Sequence, residues 1–322
     1  MRAHTWMRPY ENKMAEQIEH PEEGLFFLPG GYVDPDGECH REAKLRPLTG
    51  REEESIADPS RDWTEASLVT ALLQRTAERI GPHRPTPEII RSLPAGDRDY
   101  LMLKLRRITF GKRVEVTLLC PRPECAKKMD IDFDLDQIPV VRKAARPSYR
   151  LTLSEEGMLA EDQGAPQREI FFRIPQGGDQ EAAREWSRLN EEEMLRRLLG
   201  RCLLKIGGAE PTADRISRLS ARAVDEIAGA MEQCSPRIEA EMEARCPECR
   251  NPFIHDFEIV PFFLREILRG QSRLEREVHL LGFYYHWPLR EILGMTRRKR
   301  QRYLQLLTEE LDRSRHSGVE AV

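Results

Sequence analysis

Four of the seven cysteines in this 322-residue chain fall into two tight pairs. Cys120-Pro-Arg-Pro-Glu-Cys125 separates its thiols by four residues, and Cys246-Pro-Glu-Cys249 by two. Such a turn presents two thiolates to one metal, with proline helping to set the bend. The flanks match: Val114–Leu118 alternates apolar and polar residues before the first pair, and Ile131–Leu135 does so after it. Phe253–Ile259 repeats the returning strand after the second pair. Each pair therefore reads as the tip of a strand–knuckle–strand, half of a zinc ribbon. Together they predict one shared tetrahedral zinc site per chain, with Cys120, Cys125, Cys246 and Cys249 as ligands. Four thiolates leave no open coordination position, so the expected role is structural rather than catalytic. His255 is an alternative ligand, although a histidine on a strand is more often a surface residue. Cys39, Cys202 and Cys234 have no partner spacing, and Cys202, in an apolar helical stretch, is expected to be buried. The odd cysteine count, with no apolar signal region in residues 1–20, favours reduced thiols in a cytoplasmic setting over a disulfide framework.

The two pairs begin 126 residues apart, and that offset recurs. Leu72-Leu-Gln-Arg75 matches Leu198-Leu-Gly-Arg201, Ile80-Gly81 matches Ile206-Gly207, and Ile90–Leu93 matches Ile216–Leu219. Arg46–Glu53 resembles Arg173–Gln180 at 127, and the offset falls to 124 after the shorter second knuckle. A shared register of this kind marks an internal repeat. The predicted fold is α+β: two duplicated helix-plus-zinc-ribbon halves sharing the four-cysteine site, then a small helical segment. Residues 1–40 read as an N-terminal arm, 41–137 as the first copy, 138–167 as a linker, 168–260 as the second copy and 261–322 as the helical piece. Within the copies, long amphipathic helices are predicted over Ser67–Ile80 and Glu191–Ile206, ended by Gly81 and Gly207. Second helices follow over Asp97–Ile108 and Ala221–Gln233. The linker holds a short strand at Tyr149–Leu153.

In the last segment, Leu264, Ile267, Leu268, Leu274, Val278, Leu281 and Tyr285 form one apolar stripe, with a gap at 271. Pro288 restarts a helix, Gly294 stops it and Thr296 caps another. The last helix carries the basic cluster Arg297-Arg-Lys-Arg300 with Arg302. Residues 261–322 carry a net charge of +4 within a chain of net −4. A helix-turn-helix is one reading of this piece, which with the ribbon gives a zinc-ribbon DNA-binding regulator. The favoured reading is a partner-docking bundle with a solvated basic face, because the whole chain is acidic and no base-reading set is evident.

No Walker A loop, G-x-S-x-G, H-E-x-x-H or dinucleotide fingerprint occurs, and the eight histidines show no ligand spacing. Asp130, Asp132, Asp134 and Asp136 share one strand face and read as a solvated or partner-facing surface, with calcium or magnesium the lesser reading. No apolar run approaches the length of a membrane span. A non-enzymatic protein is expected.

Several longer segments resemble a known family. Leu28-Pro-Gly-Gly31 leading into Leu45–Glu53 is similar to the opening of baseplate hub assembly proteins of contractile phage tails. Arg98–Gly111 before the first knuckle, and Phe172–Asp179, look like versions in bacterial contractile injection systems, as do Leu274–His279, Tyr284–Trp287, Glu291–Leu293 and Arg297–Leu307. The resemblance implies a cytoplasmic role in building a tail-like particle, as baseplate component or chaperone. The partners it implies are baseplate, hub or other tail proteins, with neither nucleic acid nor membrane among them. A shared zinc clamp is not a general feature of those relatives.

Overall fold

The computed structural model describes residues 24–58, 63–157, 168–186 and 188–317. The part of the predicted arm over 1–23 and the part of the linker over 158–167 lie outside these. The chain is a mixed α+β fold. Its first part runs β1 (Leu25–Val33), β2 (Cys39–Leu45), α1 (Gly50–Ile56), α2 (Glu65–Thr76), β3 (Ala77–Ile80), α3 (Pro87–Ser92), α4 (Ala95–Phe110), β4 (Arg113–Leu119) and β5 (Lys128–Asp134). Two short strands follow, β6 (Val140–Val141) and β7 (Tyr149–Thr152). The second part runs β8 (Glu169–Phe172), α5 (Gly177–Ala182), α6 (Glu191–Cys202), β9 (Leu203–Ile206), α7 (Ala213–Ser217), α8 (Ala221–Cys234), β10 (Arg237–Ile238), β11 (Glu241–Arg245) and β12 (Pro252–Asp256). Four helices close the chain: α9 (Ile259–Arg269), α10 (Gln271–Tyr285), α11 (Leu289–Leu293) and α12 (Arg297–Ser317).

The long helices predicted to reach Ile80 and Ile206 stop four residues earlier. Thr64 caps α2 by accepting the Ser67 N–H, and Asn190 caps α6 by accepting that of Glu193. At Ala77 and Leu203 the backbone turns extended, and the next residues pair with β2 and β8. Apolar residues three apart serve either a helix face or a short bulged strand, and sheet pairing decides between them. Gly81 and Gly207, at φ +53° and +56°, therefore turn the chain after a strand rather than end a helix.

Two three-stranded antiparallel sheets result, β1-β2-β3 and β7-β8-β9. Their registers coincide. Ala43, Lys44 and Leu45 face Ile80, Arg79 and Ala77, while Ile170, Phe171 and Phe172 face Ile206, Lys205 and Leu203, each with a bulge before the last pair. The helix entrances coincide too. Arg46 binds the Glu52 carboxylate and the Arg75 carbonyl, and Arg173 binds the Asp179 carboxylate and the Arg201 carbonyl. Both carboxylates also accept the backbone N–H three residues back, closing a capping box.

Strand pairing crosses two of the expected boundaries. β2 (Cys39–Leu45) spans positions 40 and 41, and β1 before it completes the first sheet. Likewise β7, within the predicted linker, completes the second sheet. Both edge strands are tied in by pairing that a single-segment reading does not see.

Among the described residues there are two apolar cores. One lies within the second part and includes Ile170, Phe172, Leu199, Ile206, Val224 and Ile227. The larger one gathers the first sheet, α2, α4 and the β4–β5 hairpin, and it also takes in Met242, Ala244, Phe257 and α9. The second hairpin thus buries its apolar face against the first, with the Phe133 and Phe257 rings edge-on at 4.9 Å. The C-terminal stripe breaks at Gly270, whose N–H closes α9 onto the Glu266 and Ile267 carbonyls. Among the described residues, no helix is long and apolar enough to cross a membrane.

Candidate metal centre

The β4–β5 ladder runs in unbroken register from Arg113↔Asp134 to Leu119↔Lys128, and β11–β12 from Glu241↔Asp256 to Arg245↔Pro252. Each ladder delivers its first cysteine just past the last pair. Cys120 N–H then bonds the Lys127 carbonyl at 2.9 Å, and Cys246 N–H the Asn251 carbonyl at 3.0 Å. Each knuckle doubles back directly after its second cysteine: Ala126, after Cys125, and Arg250, after Cys249, are left-handed at φ 43° and 58°. Their N–H groups bond Arg122 and Cys246 carbonyls at 2.9 Å, completing the turns.

The two tips meet. Cys120 Sγ lies 3.7 Å from Cys249 Sγ, and Cys125 Sγ lies 3.8 Å from Cys246 Sγ. All four sulfurs fall within 4.8 Å of one another, close enough to hold a metal ion. Sulfurs about 2.3 Å from one tetrahedral zinc are spaced roughly 3.8 Å apart, so the donor set and its spacing fit zinc. Cys120 and Cys246 are buried, and Cys125 and Cys249 are half-buried. The environment already separates the thiols. Burial pushes Cys120 up to about 12, whereas N–H groups of Cys249 and Glu248 hold Cys246 down at about 7. A divalent cation supplies the positive charge that four crowded thiolates require.

The other candidates lie elsewhere. Cys39 touches the Gly30 carbonyl at 3.4 Å, and Cys202 is fully buried beside Asp179 and Arg173. His255 faces Met242 across the second hairpin, outside the sulfur cluster. The aspartate row is engaged by partners, and only Asp130, Asp132 and Asp134 lie on β5; Asp136 falls past its end, in a single 3-10 turn over Leu135–Gln137. Asp130 accepts from Thr117, Asp132 pairs with Arg113, Asp134 with Lys112 and Asp136 with Arg107, each at 2.8 Å. It is a paired strand surface rather than a cation cage.

The basic cluster is not one exposed face. Arg300 is completely buried, bridging Glu53 and Glu277 at 2.8 Å each and donating to the Met295 carbonyl. Arg297 lies over the Phe110 ring at 4.7 Å. The helix that a helix-turn-helix would place in a DNA groove is instead fastened onto the first part of the chain. Two of the histidines, His40 and His83, come together with Asp34 in space, a grouping that sequence spacing does not announce.

A family model described as T4 bacteriophage base plate protein matches residues 33–264, a stretch that runs from the end of β1 into α9 and contains all four clustered cysteines. No curated protein and no solved structure matches the chain significantly.

Proposed function

The chain belongs to the T4 bacteriophage base plate protein family, and from that premise we propose that it is a non-enzymatic structural or assembly protein of a phage-tail-like contractile injection system. It acts there as a baseplate component or as a chaperone for one, in the cytoplasm where the particle is built. The observation that carries this reading is the family match, which extends continuously across both halves of the molecule. Its partners are other baseplate, hub or tail proteins.

We read residues 41–137 and 168–260 as two copies of one unit, supported by the coincident sheet registers and capping boxes. A single zinc, held by Cys120, Cys125, Cys246 and Cys249, clamps the copies, each giving two ligands. The crosswise closeness of Cys120 to Cys249 and of Cys125 to Cys246 supports a pseudo-twofold arrangement of the two tips. The four-thiolate set suits a structural ion, and binding of that ion is coupled to folding.

Deleting the gene from a producing strain tests the function. Electron microscopy should show sheathed particles lost or assembled without complete baseplates. Normal particles in normal numbers would contradict the proposal.

A further inference from the structure

The first sheet carries a second cluster of side chains able to ligate a metal, distant in sequence from the four clustered cysteines. Asp34 opens the turn after β1, where its Oδ1 accepts the Glu38 N–H at 2.9 Å while Oδ2 faces inward and hydrogen-bonds His40 Nε2. His40 lies on β2, opposite Tyr32. His83 lies in the turn after β3, held by paired backbone hydrogen bonds to Ile80 at 3.0 Å. Gly81 lets that turn close onto β2, because a Cβ there would sit 2.6 Å from His40 Cβ.

The three side chains converge. Asp34 Oδ2 is 2.9 Å from His40 Nε2 and 3.9 Å from His83 Nε2, and one ligand atom from each lies within 4.8 Å of the others. The two imidazoles stand edge to face at 4.9 Å. His83 Nε2 is buried and has no hydrogen-bond partner. A buried ring nitrogen with nothing to bind is costly, and a metal would complete it. The turn itself does not call for histidine. Ala209 occupies the equivalent place after β9, with the same paired bonds to Ile206 at 2.9 and 3.1 Å.

We propose that Asp34, His40 and His83 form a second metal site, for a divalent first-row transition cation such as zinc, separate from the four-cysteine centre. Ligand atoms about 2.0–2.2 Å from a tetrahedral ion lie roughly 3.3–3.6 Å apart, so the observed 2.9 and 3.9 Å bracket the required spacing. Two imidazoles and one carboxylate select zinc, cobalt, nickel or copper over calcium or magnesium, which take oxygen ligands. The fourth position goes to water, so this ion exchanges more readily than one held by four thiolates. Its effect is to tie the β1–β2 turn to the loop after β3 at one end of the sheet.

The test uses the full chain, with one zinc per chain verified in the cysteine centre, titrated with Co²⁺. The titration is followed by visible absorption and thermal unfolding. One further equivalent should bind, with the weak bands of nitrogen and oxygen ligation and no thiolate charge-transfer band, and Tm should rise. His83→Ala should lose both responses, weakening binding by more than about 100-fold, beyond what outer-sphere changes cost. Asp34→Asn, which keeps an acceptor for Glu38 N–H, should do the same. Three results would overturn the site: no second equivalent, cobalt entering only with a thiolate band, or His83→Ala binding as tightly as the parent.

Discussion

Cys120 Sγ stands 3.7 Å from Cys249 Sγ, although 129 residues separate them in the chain. The first cysteine of one knuckle faces the second cysteine of the other, and Cys125 faces Cys246 in the same crossed manner. Two separate metal sites would bring each pair together internally. Crossed proximity is what one shared ion demands. A metal ion held by all four thiols would be a long-range crosslink between two hairpins that also share an apolar interface through Phe133 and Phe257.

Loss of any one ligand should therefore have the consequence of losing any other. Cys120→Ser and Cys246→Ser are expected to release the zinc and to destabilise the protein to similar degrees, measured by urea unfolding with parallel elemental analysis. Zinc contributes about 10–16 kcal/mol in small peptides, against a whole-domain stability of about 5–15 kcal/mol, so either variant should fall into a chelator-like, partly unfolded state. Cys202→Ala removes a buried thiol with no metal role and should keep the zinc at a cost of about 0.5–3 kcal/mol.

Arg300 of α12 bridges Glu53 of α1 and Glu277 of α10, fastening the C-terminal helices to the first part, and all three are buried. Arg300→Met leaves two carboxylates without their cation and should cost about 3–5 kcal/mol in urea unfolding. Arg298→Ala and Arg302→Ala, at exposed positions of α12, should stay within about 0.5 kcal/mol. Equal costs across the three would contradict the inward role of Arg300.

The halves also meet where Gly177 packs on Arg98. Arg98 is fully buried, and a Cβ at position 177 would lie 1.8 Å from its Nη1. Gly177→Ala should cost about 1–3 kcal/mol or more, because the guanidinium has nowhere to withdraw. Gly178→Ala, whose added carbon would meet only ordinary contacts at 3.8 Å, should be neutral within about 0.5 kcal/mol by the same urea assay.

Much of this architecture is legible in the sequence, and the exceptions have physical causes. The approach of the four cysteines follows from paired spacing between alternating strands, and the order of elements recurs at the offsets the sequence shows. The ends of α2 and α6 are not legible because Ala77–Ile80 and Leu203–Ile206 carry apolar residues three apart, which suit a helix as well as a strand. Arg300 looks like one more surface cation beside Arg298 and Lys299, since nothing local announces that Glu53, 247 positions away, will meet it. The Asp34, His40 and His83 cluster is invisible for the same reason: sheet register brings it together, and no spacing in the chain encodes it.

Asp97 gives a pH signature. Burial raises its carboxyl to about 6, even though Oδ1 and Oδ2 accept the Gly30 and Gly31 N–H groups at 2.7 and 2.6 Å. The folded value stands above the ordinary 3.8, so the native state binds this proton first. This group's contribution to stability is therefore greatest below pH 4 and declines as pH rises through about 6. Carbon-detected NMR of the side-chain carboxyl should show a midpoint near 6. A midpoint near 4 would show that the two backbone donors outweigh burial.

The most direct test of the shared clamp is zinc-edge X-ray absorption on the intact chain, dialysed against a mild chelator to remove exchangeable ions and assayed for metal content. One retained zinc per chain, surrounded by four sulfurs at about 2.3 Å, is the predicted result. Two zincs per chain with two sulfurs each, or none after zinc-replete expression, would contradict it.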